Sequence, residues 1–330
     1  MLPFEGIKRT VLVKAEAETD LRYGCPPEKR TLKQLLDYGV VNIDKPKGPT
    51  THQAADYVKK ILQLDKAGHS GSLDPAVTGV VIVALGKSTK VVHYLLHAGK
   101  QYVCIMHIHQ AVDEKKIREV MNAFVGKIMQ MPPVKSAVKR QWREKSVYEI
   151  EVLEIDKQDV LFRVDCEAGT YIRKLVHDIG QKLGCGAHMA ELRRTKVGTF
   201  DESTKTTLQE LQDAFVFWKD GDESHLKKIL MPMEKSVEHL PKIWIFDTTV
   251  DSICHGATLN VPGISKIDSP ANVGEPVAIM TLKNELVAVG SLQMSPENVM
   301  ANQKGLVVKI ERVFMDPGTY PKYAKETTKQ

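Results

Sequence analysis

Cysteine is scarce in this chain and poorly spaced for metal: Cys25, Cys104, Cys166, Cys185 and Cys254 are five scattered thiols with no CxxC pair. Neither a zinc knuckle nor a disulfide framework is supported, and buried thiols in a reducing compartment are expected. The nearest approach to a metal signature, Cys185 followed by His188, offers two ligands where a structural zinc takes four. Long apolar runs are missing too; none approaches the roughly 18 residues a membrane helix needs. The first thirty residues carry Lys8, Arg9, Glu16, Glu18 and Asp20 without an apolar core, so neither a secretory signal nor a membrane role is expected. There are no repeats and no low-complexity tract. The last absence is a single glycine. Gly86-Lys87-Ser88 looks like the end of a P-loop, but Val81, inside an apolar run, holds the place of the required first glycine. A P-loop cradles phosphate with flexible backbone N–H groups ahead of its lysine, so nucleotide hydrolysis is rejected.

What is present suits a soluble protein of two domains: 330 residues, 42% hydrophobic and 26% charged, with a formal net charge of +5. That charge suits a polyanionic partner without demanding one. Between Lys135 and Lys145 stand five basic side chains, one acid and Trp142. Such a segment can meet phosphates and stack a base, and by itself it reads equally as a solvated loop. The chain reads as a short helix over Leu32 to Tyr38, a strand over Val40 to Ile43, and a Pro- and Gly-rich turn over 44–49. Thr50 or Thr51 then caps a helix with apolar positions Ala54, Ala55, Val58, Ile61 and Leu62. Val80 to Leu85 is a continuous apolar run, hence a buried strand. Helical spacing follows over 114–125 and 171–183, and strand alternation over Val160 to Val164. Near residue 240 the character changes to short β-rich runs separated by Gly and Pro: Ile243 to Phe246, Val277 to Thr281, Leu286 to Val289 and Leu306 to Val313. Spacing of that kind predicts a small barrel or sandwich. The last ten residues read as a polar tail.

The loop Gly68-His69-Ser70-Gly71-Ser72-Leu73-Asp74-Pro75 is the segment with chemical interest. Its glycines and serines permit unusual backbone geometry and deliver one carboxylate, Asp74, at its end. The plain alternative is an Asp N-cap with Pro75 at the first helical position. This loop, with Gly79 and Gly86, resembles the catalytic motif of the pseudouridine synthase family that modifies the tRNA T-loop. Three further segments resemble that family in the same order: Asn42 to Gly48, Lys100-Gln101-Tyr102, and Gly169-Thr170-Tyr171-Ile172-Arg173. Met131 to Arg140 and Ala187 to Thr195 are similar to the dyskerin branch, the catalytic subunits of H/ACA guide-RNA particles. Asp113 follows Tyr102 by eleven positions, leaving no room for the RNA-gripping insertion of the stand-alone tRNA enzymes. His255 to Ile264 and Gly305 to Pro321 resemble the start and end of a PUA domain.

The resemblance implies an α+β fold: a catalytic domain with a mixed, mainly antiparallel sheet over 38–240, then a PUA barrel over 241–321. Residues 1–37 would fold back onto the barrel, and 322–330 would form the tail. It implies RNA-guided isomerisation of uridine to pseudouridine in ribosomal RNA, with no metal and no cofactor. The partners implied are a guide RNA, the substrate RNA, two small accessory proteins and a kink-turn-binding ribosomal-type protein. The compartment would be the cytoplasm for an archaeal-type chain, which the missing Lys-rich tail favours, or the nucleolus for a eukaryotic one. Asp74 is cast as the nucleophile, with attack on the sugar, attack on the base and removal of a ribose proton all open to it. Arg173 would be its ionic partner, since a nearby guanidinium favours the carboxylate. Tyr102 would stack on the extruded uracil and assist proton transfer at C5. Leu192 would line the uracil pocket. His69 would shape the loop or touch RNA, and Lys45 would support the loop or meet a phosphate. Two rivals stand beside this reading: a guide-independent tRNA enzyme, and a non-catalytic RNA scaffold. A two-carboxylate glycosidase would need a second acid at the cleaved bond, and no motif carries one.

Overall fold

The computed structural model describes residues 1–132 and 139–322. Residues 133–138 of the dyskerin-like segment Met131 to Arg140 therefore lie outside the described residues, as does the predicted tail beyond Lys322. The chain divides into two compact units that interleave along the sequence: residues 1–6, 41–84 and 92–229 form one, and residues 7–40, 85–91 and 230 onward form the other.

The first unit is α+β, built on strands of a nine-stranded sheet. From Gly39–Lys45 the order runs to Thr78–Leu85, Ala187–Val197, Lys100–Ile108, Asp159–Cys166, Arg143–Asp156 and Gly126–Gln130. The last five of these pair antiparallel, while Thr78 and Gly79 pair in parallel with Arg193 and Arg194. The run Val80 to Leu85 is fully buried, as a strand covered on both faces must be. The expected helix over 171–183 spans Ile172–Leu183 and buries Ile172, Leu175, Val176, Ile179 and Leu183, one stripe at three- and four-residue spacing. Gly184, at φ +84°, closes its C-terminus. That stripe packs on Cys104, Met106, Val160, Phe162 and Val164 from one face of the sheet.

The helix after the Pro-rich turn spans Thr51–Ile61, and Thr50 caps it through a full capping box with Gln53. Thr51, the other candidate cap, is buried and does a different job, described below. The helix predicted over 114–125 stops at Asn122, capped by Asp113. Gly126–Gln130, Arg143–Asp156 and Ala187–Val197 are strands that the sequence pattern did not signal.

In the second unit a seven-stranded sheet runs Thr10–Val13, Ile264–Ser269, Lys242–Ile245, Pro276–Thr281, Leu286–Leu292, Leu306–Val313 and Leu259–Asn260. The four predicted β-runs all fall on its strands. The N-terminal segment joins it directly: Thr10–Val13 pairs antiparallel with Ile264–Ser269. Its core gathers Ile243, Ile245, Ile267, Ile279, Val287 and Val308. The P-loop-like triplet sits in this unit, and its polar atoms are consumed. The buried Ser88 hydroxyl lies 2.6 Å from the carbonyls of both Gly39 and Leu85, and Lys87 pairs with Asp316. Cys104, Cys166 and Cys254 are buried, whereas Cys25 and Cys185 are half-buried; all five thiols are free.

Candidate active site

The loop ending in Asp74 is held by its backbone. Ser70 is fully buried; its N–H donates to the Ile82 carbonyl at 2.9 Å and its hydroxyl accepts the Ile82 N–H at 3.1 Å. The Thr51 hydroxyl accepts the Leu73 N–H at 2.7 Å. Beyond the carboxylate, the Val77 N–H donates to the Asp74 carbonyl and the Gly48 N–H to the Pro75 carbonyl, both at 2.9 Å. No helix follows Pro75: the chain turns and enters the strand Thr78–Leu85, so the N-cap alternative for Asp74 falls.

Lys45 completes the brace. Its ammonium is fully buried and donates to the carbonyls of Pro46 (2.8 Å), Pro75 (3.3 Å) and Val77 (2.8 Å). An ammonium has three N–H donors, and all three are occupied. Of the two roles the sequence left open for Lys45, this geometry fits the first: its three donors fasten the loop, and none is left over for a phosphate. Burial, with Arg194 adding to it, pushes this lysine below its ordinary range.

Arg173 is the second residue of the helix Ile172–Leu183. Gln130, buried at an edge strand, fixes the start of that helix by accepting the Tyr171 N–H at 2.9 Å and donating to the Tyr171 carbonyl at 3.2 Å. From there Arg173 Nη2 reaches Asp74 Oδ2 at 2.5 Å. Both side chains are more than half exposed, 60% and 56%. An ion pair this open contributes only about 0–1 kcal/mol to stability, so its geometry serves orientation more than folding.

Tyr102 lies half-buried on the strand Lys100–Ile108, opposite Arg194, while Cys104 stands opposite Leu192. Residues two apart on a strand share a face, and antiparallel partners share it too. Tyr102, Leu192 and Arg194 therefore project to one side of the sheet, and Tyr102 and Leu192 pack on the same cluster as Ile172. Burial raises the Tyr102 phenol above its ordinary range, the charge of Asp74 acts in the same direction, and Arg194 opposes them. Lys100 anchors the strand's start by donating to the carbonyls of Leu95, Leu96 and Ala98.

His69 is half-buried, and its Nδ1 accepts a long hydrogen bond from the Gly71 N–H, 3.4 Å. Burial first, then His52 and Arg194, hold it below the usual imidazole range. A neutral ring tied to its own loop fits loop shaping. Arg194 was absent from the set named from sequence. It is 1% exposed, and its Nε donates to the Val80 carbonyl at 2.8 Å and its Nη2 to the Gly71 carbonyl at 3.4 Å. Its backbone explains Gly79: at φ +106° a Cβ there would stand 2.1 Å from the Arg194 carbonyl oxygen. The readable signal was Arg194 two residues from Leu192 on a common strand face, legible only once Ala187–Val197 is known to be a strand. Of the basic segment Lys135 to Lys145, Lys139, Arg140 and Trp142 are exposed, whereas Lys145 is taken up by Glu167 and the Ala168 carbonyl, both at 2.7 Å.

Comparison with known proteins covers nearly the whole chain. Residues 6–55 match the DKCLD (NUC011) domain, 59–172 the N-terminal domain of TruB family pseudouridylate synthases, 173–238 the tRNA pseudouridylate synthase B C-terminal domain, and 241–314 the PUA domain. A probable tRNA pseudouridine synthase B of Methanopyrus kandleri is 53% identical over 97% of this chain and 95% of its own length. Its counterpart in Pyrococcus abyssi is 55% identical over 96% of both. Among solved structures, a chain of a Cbf5–Nop10–Gar1 complex is 54% identical with a TM-score of 0.94, covering 98% of this chain and 99% of that one. A chain of an H/ACA ribonucleoprotein bound to a substrate RNA containing 2′-deoxyuridine is 52% identical with a TM-score of 0.92, over 98% and 99%. No helix among the described residues is long and apolar enough to cross a membrane.

Proposed function

This chain belongs to the TruB family of pseudouridylate synthases, on its dyskerin-like branch, and from that we propose that it isomerises uridine to pseudouridine as the catalytic subunit of an H/ACA guide-RNA particle acting on ribosomal RNA. The observation that carries this reading is one exposed carboxylate, Asp74, paired at 2.5 Å with Arg173 on a loop whose backbone is tied at Ser70, Leu73, Pro75 and Val77. The likeness to a chain of an H/ACA ribonucleoprotein bound to a substrate RNA supports the guided form.

The reaction breaks the bond from ribose C1′ to uracil N1, turns the base, and joins C1′ to C5. The hydrogen on C5 leaves and N1 takes a proton, so the net change is an isomerisation. Asp74 is the nucleophile that holds the separated fragments within reach. Arg173 keeps the carboxylate aimed. Tyr102 offers its ring to the extruded uracil and its phenol to the C5 proton, while Leu192 lines the pocket beside it. His69 and Lys45 act through the loop. Residues 38–240 carry the chemistry and 241–321 bind guide RNA, with the segment 1–37 packed on the latter. The partners are a guide RNA, the substrate RNA, Nop10- and Gar1-type proteins and a kink-turn-binding ribosomal-type protein, in the cytoplasm of an archaeal-type cell.

The names of the Methanopyrus and Pyrococcus relatives favour a second reading, a guide-independent tRNA enzyme. An RNA tritiated at uridine C5 separates the two, because that hydrogen is lost only when C5 bonds to ribose. Release that requires a matched guide RNA and the partner proteins is the expected result. Release from a tRNA transcript by the chain alone would transfer the assignment to tRNA. Guide binding without release under either condition would leave an RNA scaffold.

A further inference from the structure

Among the described residues, no carboxylate forms an ion pair with the buried Arg194. Arg194 donates to the Val80 and Gly71 carbonyls and stands directly opposite Tyr102 across the strand pair. Burying a guanidinium is costly, and carbonyl and phenol dipoles offset it only in part. A residue placed so expensively, bonded to the catalytic loop and paired across the sheet with the uracil-facing tyrosine, invites a role beyond packing. We propose that Arg194 is the positioning residue for Tyr102, its buried guanidinium fixing the phenol oxygen as a hydrogen-bond acceptor and so aiming the phenol at the C5 position of the bound base. This inference rests on the isomerase reading above.

A guanidinium carries five N–H donors and accepts nothing. Toward Arg194 the phenol oxygen of Tyr102 can therefore only accept, which leaves the phenol hydrogen to point away from it. The strand register sets the geometry: Tyr102 and Arg194 are direct antiparallel partners on one face of the sheet, two residues from the pair Cys104 and Leu192. Arg194 is itself pinned, with Nε on Val80 at 2.8 Å, so it cannot follow the phenol if that ring turns. The same guanidinium stabilises a phenolate. In the step at C5, phenolate oxygen takes the proton, the C–H electron pair returns to the uracil ring, and neutral Tyr102 results; solvent recovers the proton afterwards. Burial and Asp74 oppose the phenolate, and Arg194 is the contact that favours it. One residue thus couples the loop that carries Asp74 to the group that handles the C5 proton.

The test is single-turnover tritium release from C5 across pH 6 to 9.5, with guide RNA and partner proteins, for wild type, Arg194→Gln, Arg194→Lys, Tyr102→Phe and the Arg194→Gln/Tyr102→Phe double variant. RNA affinity and thermal midpoints are measured alongside. Arg194→Gln should release tritium at least about tenfold more slowly at pH 7 with RNA affinity retained, its profile displaced to higher pH. Arg194→Lys should recover part of the rate. The double variant should be no slower than Tyr102→Phe alone, because residues acting through one another are not additive. Equal slowing at every pH, or full additivity in the double variant, would reduce Arg194 to a structural residue. Should Arg194→Gln fail to fold, Arg194→Lys decides by the same pH displacement. Failure of wild type to release tritium would overturn the isomerase reading, and this proposal with it.

Discussion

Two segments bearing glycine and serine stand on either side of the strand Thr78–Leu85 in the sequence, and they put the same residue types to opposite use. In Gly68 to Pro75 the tying groups are buried (Ser70 on Ile82, Thr51 on Leu73, Lys45 on Pro75 and Val77), and the charged side chain stays out in solvent. In Gly86-Lys87-Ser88 the serine is buried against Gly39 and Leu85 and the lysine is paired with Asp316. A loop of the first kind spends its buried hydrogen bonds on backbone and presents a carboxylate. One of the second kind presents a cation already shared by two partners. The contrast lies in what each exposed charge meets: Asp74 meets the guanidinium of Arg173, whereas Lys87 is shared between Asp316 and the Tyr38 hydroxyl.

The comparison can be tested at both ends. Asp74→Asn should lower single-turnover isomerisation by about a thousandfold or more, with the melting midpoint nearly unchanged, because the lost pair is exposed. Arg173→Met should follow, by about one to two orders of magnitude in rate, since it orients the carboxylate without forming a bond. Gly79→Ala should act on folding: backbone strain at φ +106° and collision with the Arg194 carbonyl should cost more than about 2 kcal/mol, read by denaturant unfolding. Lys45→Met should strip three carbonyls of their donor, costing about 1–3 kcal/mol and slowing turnover through a loosened loop, with RNA affinity unchanged. Lys87→Met, on the other segment, should be the smallest effect, leaving turnover within about twofold of wild type because its exposed pair with Asp316 is worth little. A large loss of turnover at Lys87, with stability intact, would erase the distinction between the two segments.

The elements visible from sequence were those with a clean period. Val80 to Leu85 announced itself by continuity, Ile172 to Leu183 by its stripe, and the later β-runs by alternation between glycines and prolines. Arg143–Asp156 and Ala187–Val197 stayed hidden for a physical reason. Their alternation is broken by β-bulges, and charged residues such as Glu149, Glu151, Arg193 and Arg194 occupy positions inside paired strands. Because Ala187–Val197 was not legible, Arg194 was not either, although it is the most deeply buried cation beside Tyr102. Family likeness supplied Asp74, Tyr102, Arg173 and Leu192. Residue spacing alone supplied only the loop. Lys45 shows what a motif leaves out: a lysine in a Pro-framed turn suits a phosphate contact, and only its burial among three carbonyls reveals a brace.

The central claim is that the braced loop exists to present one carboxylate to a uridine. Single-turnover release of C5 tritium from a guide-paired substrate, comparing wild type with Asp74→Asn at matched RNA occupancy, tests it directly. The account predicts release by wild type and none above background by the variant, with equal melting midpoints and equal RNA affinity. Release by Asp74→Asn within about tenfold of wild type would contradict it, and would move the chemistry to another group.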